Sequence, residues 1–146
     1  MKKCLVITTG FVALGFSLLF ALQQNDGKGD KDFLRTRIEQ LGVKVIGPAD
    51  QREIVFPDSF QDAQWGYINR FCEEGGYHLS DHAGNKVVMV SFLIDQLYEN
   101  EPLYVHAVMY RDNIVCVYKS VGHNSVLAPG IFSIKHGQGI RTRSGK

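Results

Sequence analysis

What this chain has least of is surplus charge. Sixteen lysines and arginines face fifteen aspartates and glutamates, a formal charge of +1 over 146 residues. A balance so near zero supplies neither the basic stripe that neutralises a phosphate backbone nor an acidic tail. Nucleic acid is therefore not an expected partner. A glycine-rich phosphate loop is missing too: the "GQG" at Gly137–Gly139 does not follow a strand and open a helix. There is no N-x-[ST] glycosylation sequon, no internal repeat and no low-complexity block. Cysteine is scarce, at three, and only Cys72 and Cys116 lie in the part expected to fold. What is present argues against disorder: aromatics make up 11% and charged residues 21%, the proportions of an ordinary globular domain.

One stretch departs from that composition. After "MKK", residues Cys4 to Leu22 run without a single charge. As a helix they would be roughly 28 Å long, close to the thickness of a hydrocarbon core. Lys2 and Lys3 on one side, and "QQNDGKGD" on the other, orient the N-terminus to the cytoplasm by the positive-inside bias. A cleaved signal peptide, with secretion of the rest, is the alternative. It would carry a shorter apolar region and a small-x-small site, whereas Ala21 is preceded two positions earlier by Leu19. The sequence thus favours a single-pass anchor over residues 1–22, a polar tether over 23–30 and an extracytoplasmic domain over 31–136, with a weakly basic flexible tail at 137–146. Cys4 precedes the apolar run and cannot be the lipid-bearing cysteine of a lipoprotein, which follows one.

Within the domain, hydrophobic periodicity predicts a first helix in "DKDFLRTRIEQLG", with Leu34, Ile38 and Leu41 on one stripe and Gly42 as its stop. "VKVI" and "REIVF" read as two short strands about a "GPAD" turn. A second helix is expected in "PDSFQDAQWGYINRFCEEGG", capped by Asp58 with Gln61 in capping-box position. Its apolar face would be Phe60, Ala63, Tyr67, Ile68 and Phe71, with Trp65 and Cys72 at the flank. "KVVMVSFLID" is apolar on both faces, as a central strand should be. "LYVHAVMYR" and "NIVCVYKSV" then form a hairpin around Asp112-Asn113, pairing Tyr110 with Val115, Val108 with Val117 and His106 with Lys119. In that register Leu103, Val105, Ala107 and Met109 share the core face with Cys116 and Tyr118. The expected class is α+β: two helices covering one face of a mainly antiparallel sheet of about five short strands. The other face would be open to a partner along Tyr104, His106 and Tyr110.

Chemistry-bearing groups are few. His78 and His82 in "YHLSDHAGNK" stand four apart, with Asp81 between them. Zinc needs three or four converging ligands, and the neighbouring glycines argue against a helix long enough to align the rings. His123, Asn124 and Ser125 in "GHNS" bring a serine near a histidine, yet no nucleophile-elbow pattern surrounds Ser125. The acidic pairs Glu73-Glu74 and Glu99 with Glu101 read as solvated charge. Cys72 and Cys116 have two readings: buried free thiols packing as small hydrophobes, or, outside the cytoplasm, a disulfide tying the second helix to the last strand. No cofactor or metal is expected.

"FLRTRIEQLGVKV", "EIVFPDSF", "GGYHLSDHAGNKV" and "SVGHNSVLAPGIFSI" occur in that order over Phe33 to His136. On these motifs the chain resembles an uncharacterised domain-of-unknown-function family of Gram-positive bacteria. Its members are short proteins with an N-terminal membrane or lipoprotein signal. The resemblance implies no activity, cofactor or catalytic residue, and the family does not reliably keep histidine at the positions of His78 and His82. The expectation is a non-catalytic binding, sensing or assembly module, whose partners are the membrane and another envelope protein or peptide. The alternative is a small cell-envelope hydrolase using His123 and Ser125 or the His78–His82 region.

Overall fold

A computed structural model describes residues 26–122 and 130–143. The anchor at Cys4–Leu22, tether residues 23–25 and the His123–Ser125 segment fall outside the described residues. Among the described residues no helix is long and apolar enough to cross a membrane. The chain divides into two units, 1–33 and 34–146. The first is described only from Asp26, where helix α1 (Asp26–Gln40) begins; residues 26–30, expected in the tether, are helical. The second unit is an α+β domain.

Among the described side chains of α1, Leu34 and Ile38, one helical turn apart, are the buried ones. The helix stops at Gly42, whose φ of 84° places it in the left-handed region that glycine tolerates. Next comes β1 (Val45–Val55), one strand where two were expected. Its register with β2 jumps from Val45↔Ile94 to Ala49↔Phe92, so Gly47 and Pro48 of "GPAD" lie in a bulge and not in a turn, and Ala49 and Asp50 already pair with β2. Gly47 is required there: a Cβ on it would lie 2.9 Å from that of Leu93.

Helix α2 (Ala63–Gly75) begins later than expected. Asp62, not Asp58, is the N-cap, and its carboxylate accepts from the Trp65 N–H at 2.7 Å. Phe60 therefore precedes the helix, where it, Phe56 and Trp65 meet edge to face with centroids 5.3–6.2 Å apart. The buried stripe is Ile68 and Cys72, while Ala63 and Tyr67 are exposed. Gly76 ends the helix at φ 90°, and the Tyr77 N–H returns to the Cys72 carbonyl at 2.9 Å.

A 3-10 turn (Leu79–His82) leads into β2 (Lys86–Tyr98), followed by β3 (Glu101–Tyr110), β4 (Asn113–Val121), β5 (Ile131–Ser133) and β6 (Ile140–Thr142). The sheet order is β1-β2-β3-β4-β5, with β6 also on β2, and every described pairing is antiparallel. Because Ile140–Thr142 form β6, the stretch expected to be a flexible tail adds a strand to the sheet.

The β3–β4 hairpin corrects two expectations. Its turn is Arg111-Asp112, with Tyr110 opposite Asn113 and Arg111 at φ 54°. A bulge then takes the register from Met109↔Ile114 to Val108↔Cys116, leaving Val115 as the extra residue. This moves Cys116 and Tyr118 to the face of Val108 and His106, the face expected to be open. Both faces are in fact covered. One carries Val90, Phe92, Ile94, Leu103, Val105, Ala107 and Val117 and packs on Leu34 and Ile38 of α1. The other carries Val87, Met89, Val108, Cys116 and Tyr118 and packs on Ile68 and Cys72 of α2 and on Leu79. The helices therefore lie on opposite faces of the sheet.

Candidate functional site

Tyr104, His106 and Tyr110 were expected to line an open face of β3. His106 is only 2% exposed, and Tyr104 and Tyr110 are half-buried. Tyr110 joins the core beneath α2, and its ring meets His82 with centroids 5.0 Å apart. That contact also accounts for His82, while His78 is exposed at the start of the 3-10 turn. Leu79 between them is fully buried, so the "YHLSDHAGNK" stretch is held by its leucine. Among the described residues no three His, Cys, Asp or Glu side chains converge to hold a metal ion.

His106 belongs to a buried polar relay that sequence reasoning missed. Ser91 pairs with it across β2 and β3, Ser120 comes from β4, and each hydroxyl lies 2.7 Å from one ring nitrogen. The Ser120 hydroxyl donates to the Gly122 carbonyl at 3.1 Å, so it accepts from Nε2–H. In the neutral tautomer protonated at Nε2, Nδ1 accepts from the Ser91 hydroxyl, and all three groups are satisfied. The Tyr118 ring stacks on the imidazole at 4.8 Å. All three members are buried, so no substrate reaches Ser91 in this arrangement. What could have signalled the relay is polar residues within strand runs that are otherwise apolar, at Ser91, His106 and Ser120.

On the opposite face Lys119 is also 2% exposed. Its ammonium donates to the His136 carbonyl at 2.6 Å and reaches Gln96 Oε1 at 3.5 Å. Burial lowers its pKa to about 8, since water no longer stabilises the charged form. It was expected beside His106 on a solvated or half-covered face. Instead it opposes Val105 and Phe132 and holds the segment after β5 against the sheet.

Cys72 and Cys116 are joined by a disulfide across 44 positions of chain, with Cα atoms 5.3 Å apart. The bulge in β4 is what turns Cys116 toward α2. The bridge fixes α2 to a strand that β3 and β5 flank on either side.

With α2 so held, its other face forms one wall of a cleft of about 410 Å³. Tyr67, Arg70, Phe71 and Glu74 recur at helical spacing along this wall, and Gly130, Ile131, Phe132 and His136 form the other. Arg70 places its guanidinium 5.6 Å from the Tyr67 ring centroid and 5.3 Å from that of Phe71, and lies 4.0 Å from Glu74. His136 stacks on Phe132 at 5.5 Å. A hollow of about 280 Å³ lined by Asp62, Ala63 and Gly66 adjoins it and shares Tyr67 and Arg70. Such walls can take an apolar or aromatic group against the rings and polar groups at the rim. Sequence reasoning placed Tyr67 and Phe71 on the core face; Phe71 is half-buried and packs against the core beneath α2, whereas Tyr67 is exposed. The charged pair Arg70 and Glu74, at the same spacing, was the signal that Tyr67 faces outward. No family model, no curated protein and no solved structure matches this chain.

Proposed function

We propose that this chain is a membrane-anchored extracytoplasmic module that acts by binding, with the α2–β5 cleft as its contact site and a peptide segment of an envelope protein as its ligand. The observation that carries this reading is the Cys72–Cys116 bridge. Structural disulfides persist in oxidising compartments, in keeping with an uncharged run behind Lys2 and Lys3 that leaves the domain outside the cytoplasm. The same bridge holds one wall of the cleft in place, and a pre-ordered wall lowers the entropic cost of binding. The resemblance to the Gram-positive family of short anchored proteins belongs to the same proposal. No observation favours the hydrolase: His78 is exposed, His82 packs its ring on Tyr110, and His123 and Ser125 lie outside the described residues.

The test is photo-crosslinking in intact cells. A benzophenone amino acid replaces Tyr67 in the full-length chain, and irradiation should give one discrete adduct with an envelope protein. Arg70→Glu, which reverses the charge between the rings, should abolish that adduct. A chain that forms no adduct, or the same adduct with and without Arg70→Glu, overturns the cleft as the contact site.

A further inference from the structure

Strand β1 is an edge. Among the described residues no strand pairs with its outer side, and Asp50, Gln51, Arg52 and Glu53 are all exposed. Two of the large apolar residues left exposed, Ile46 at 41% and Val55 at 67%, also lie on it. Which backbone groups point outward follows from one hydrogen bond. The Phe56 N–H donates to the Asn85 carbonyl at 3.0 Å, extending the register in which Val55 opposes Lys86. Hydrogen-bonded and non-bonded pairs alternate in an antiparallel ladder. Ile54, Arg52 and Asp50 therefore turn their N–H and C=O groups to β2, while Val55, Glu53, Gln51 and Ala49 turn theirs away. The ladder is closed at Gly47, whose carbonyl accepts from the Arg35 guanidinium at 2.8 Å.

We propose that this edge pairs with β1 of a second copy of the chain, antiparallel about a two-fold axis at Gln51, so that one sheet runs through both copies. Outward-facing groups must meet outward-facing groups, and that restriction leaves few registers. Centring on Asp50, Arg52 or Glu53 sets a charged residue against itself. Centring on Gln51 sets Gln51 against Gln51, Ala49 against Glu53, and Asp50 of each copy against Arg52 of the other. The Gln51 pair and the two Ala49–Glu53 pairs exchange about six backbone hydrogen bonds. The same register lays Val55 beside the bulge that carries Ile46 of the second copy. Charges on an edge strand commonly keep strangers away; here their order repels the registers centred on Asp50, Arg52 and Glu53 and is complementary in the one centred on Gln51. Asp50 and Arg52 each make an interaction within their own chain, and the reciprocal pairs add to those. Exposed ion pairs contribute little energy, so they select the register while the ladder supplies the affinity.

The experiment uses the full-length chain in detergent micelles, with Cys4→Ser to remove the remaining thiol. Gln51→Cys should link two copies on oxidation, since facing Cα atoms in a bonded pair lie about 5.5 Å apart. Glu53→Cys should not, because its two positions fall more than about 13 Å apart in this register. By sedimentation, Asp50→Arg should weaken the dimer by about tenfold or more, and the exchange D50R/R52D should restore it. Recovery in the double variant excludes misfolding as the cause of the loss. A monomeric parent chain, equal linking at both positions, or a double variant as weak as the single one overturns the proposal.

Discussion

Lys119, the buried Tyr118 and the half-buried Tyr77 give stability an opposed dependence on pH. Burial lowers the Lys119 pKa from 10.5 to about 8. Below pH 8 the ammonium is charged both folded and unfolded, and its burial opposes folding in full. Between pH 8 and 10.5 the folded chain has released the proton that the unfolded chain still binds, so stability rises, by up to about 3 kcal/mol. Tyr118 and Tyr77 act the other way. Desolvation raises both above 10, partly offset by Arg52 near Tyr118 and by Arg37 near Tyr77. The unfolded chain then ionises first, and stability falls once pH passes 10. Urea denaturation of a Cys4→Ser chain should therefore show stability climbing from pH 8 to a maximum near 10. Lys119→Met should remove the climb and leave the fall. A Met variant that keeps the same climb assigns it to some other group. His106 differs from Lys119: buried as deeply, it has a serine hydroxyl 2.7 Å from each ring nitrogen, whereas Lys119 meets only neutral oxygen acceptors.

At the scale of the element, the attachment of α2 to β4 decides whether the cleft has two walls. Closing 44 positions of chain by a bridge stabilises a fold by about 4 kcal/mol in the chain-entropy account. The pair Cys72→Ser with Cys116→Ser should lower the unfolding free energy by about that amount in urea, and a loss under about 1 kcal/mol would show that the denatured chain is already constrained. How much of this attachment was legible depends on what writes each element. Gly75-Gly76 announces the end of α2 because a left-handed cap needs glycine. The apolar run of β2 from Val87 to Ile94, interrupted only by Ser91, announces a strand covered on both sides. Side chains do not announce a bulge, and two bulges carry the errors. In β1, Gly47 and Pro48 look like a turn until Leu93 is seen packed where a Cβ would go. In β4 the extra residue Val115 is as apolar as its neighbours, so nothing marks the point where Cys116 changes face. The cleft was missed for a related reason: Phe60 reads as part of the α2 stripe, which rotates the apparent apolar face toward Tyr67.

For the whole domain, the consequence of placing the helices on opposite faces is two cores that share one sheet. The face beneath α1 gathers Val90, Phe92, Ile94, Val105 and Ala107, and contains no member of the bridge. The face beneath α2 gathers Val87, Met89, Val108 and Cys116, and is covalently tied to its helix. β2 and β3 contribute to both cores and have neighbours on each side, so their amides open only when the sheet itself does. Hydrogen exchange on the oxidised chain should find its slowest amides at Val87–Ile94 and Leu103–Val108, with α2 close behind because it cannot leave the sheet alone. Reduction removes that restriction. The α2 amides should then exchange at least roughly tenfold faster than the two strands, through a local opening that leaves the α1 face intact. If α2 and the strands instead accelerate together by one common factor, the two faces open as a single unit. The bridge would then act on the domain's overall stability and not on the wall of the cleft, and reducing agents should leave binding at Tyr67 and Arg70 unchanged for as long as the domain stays folded.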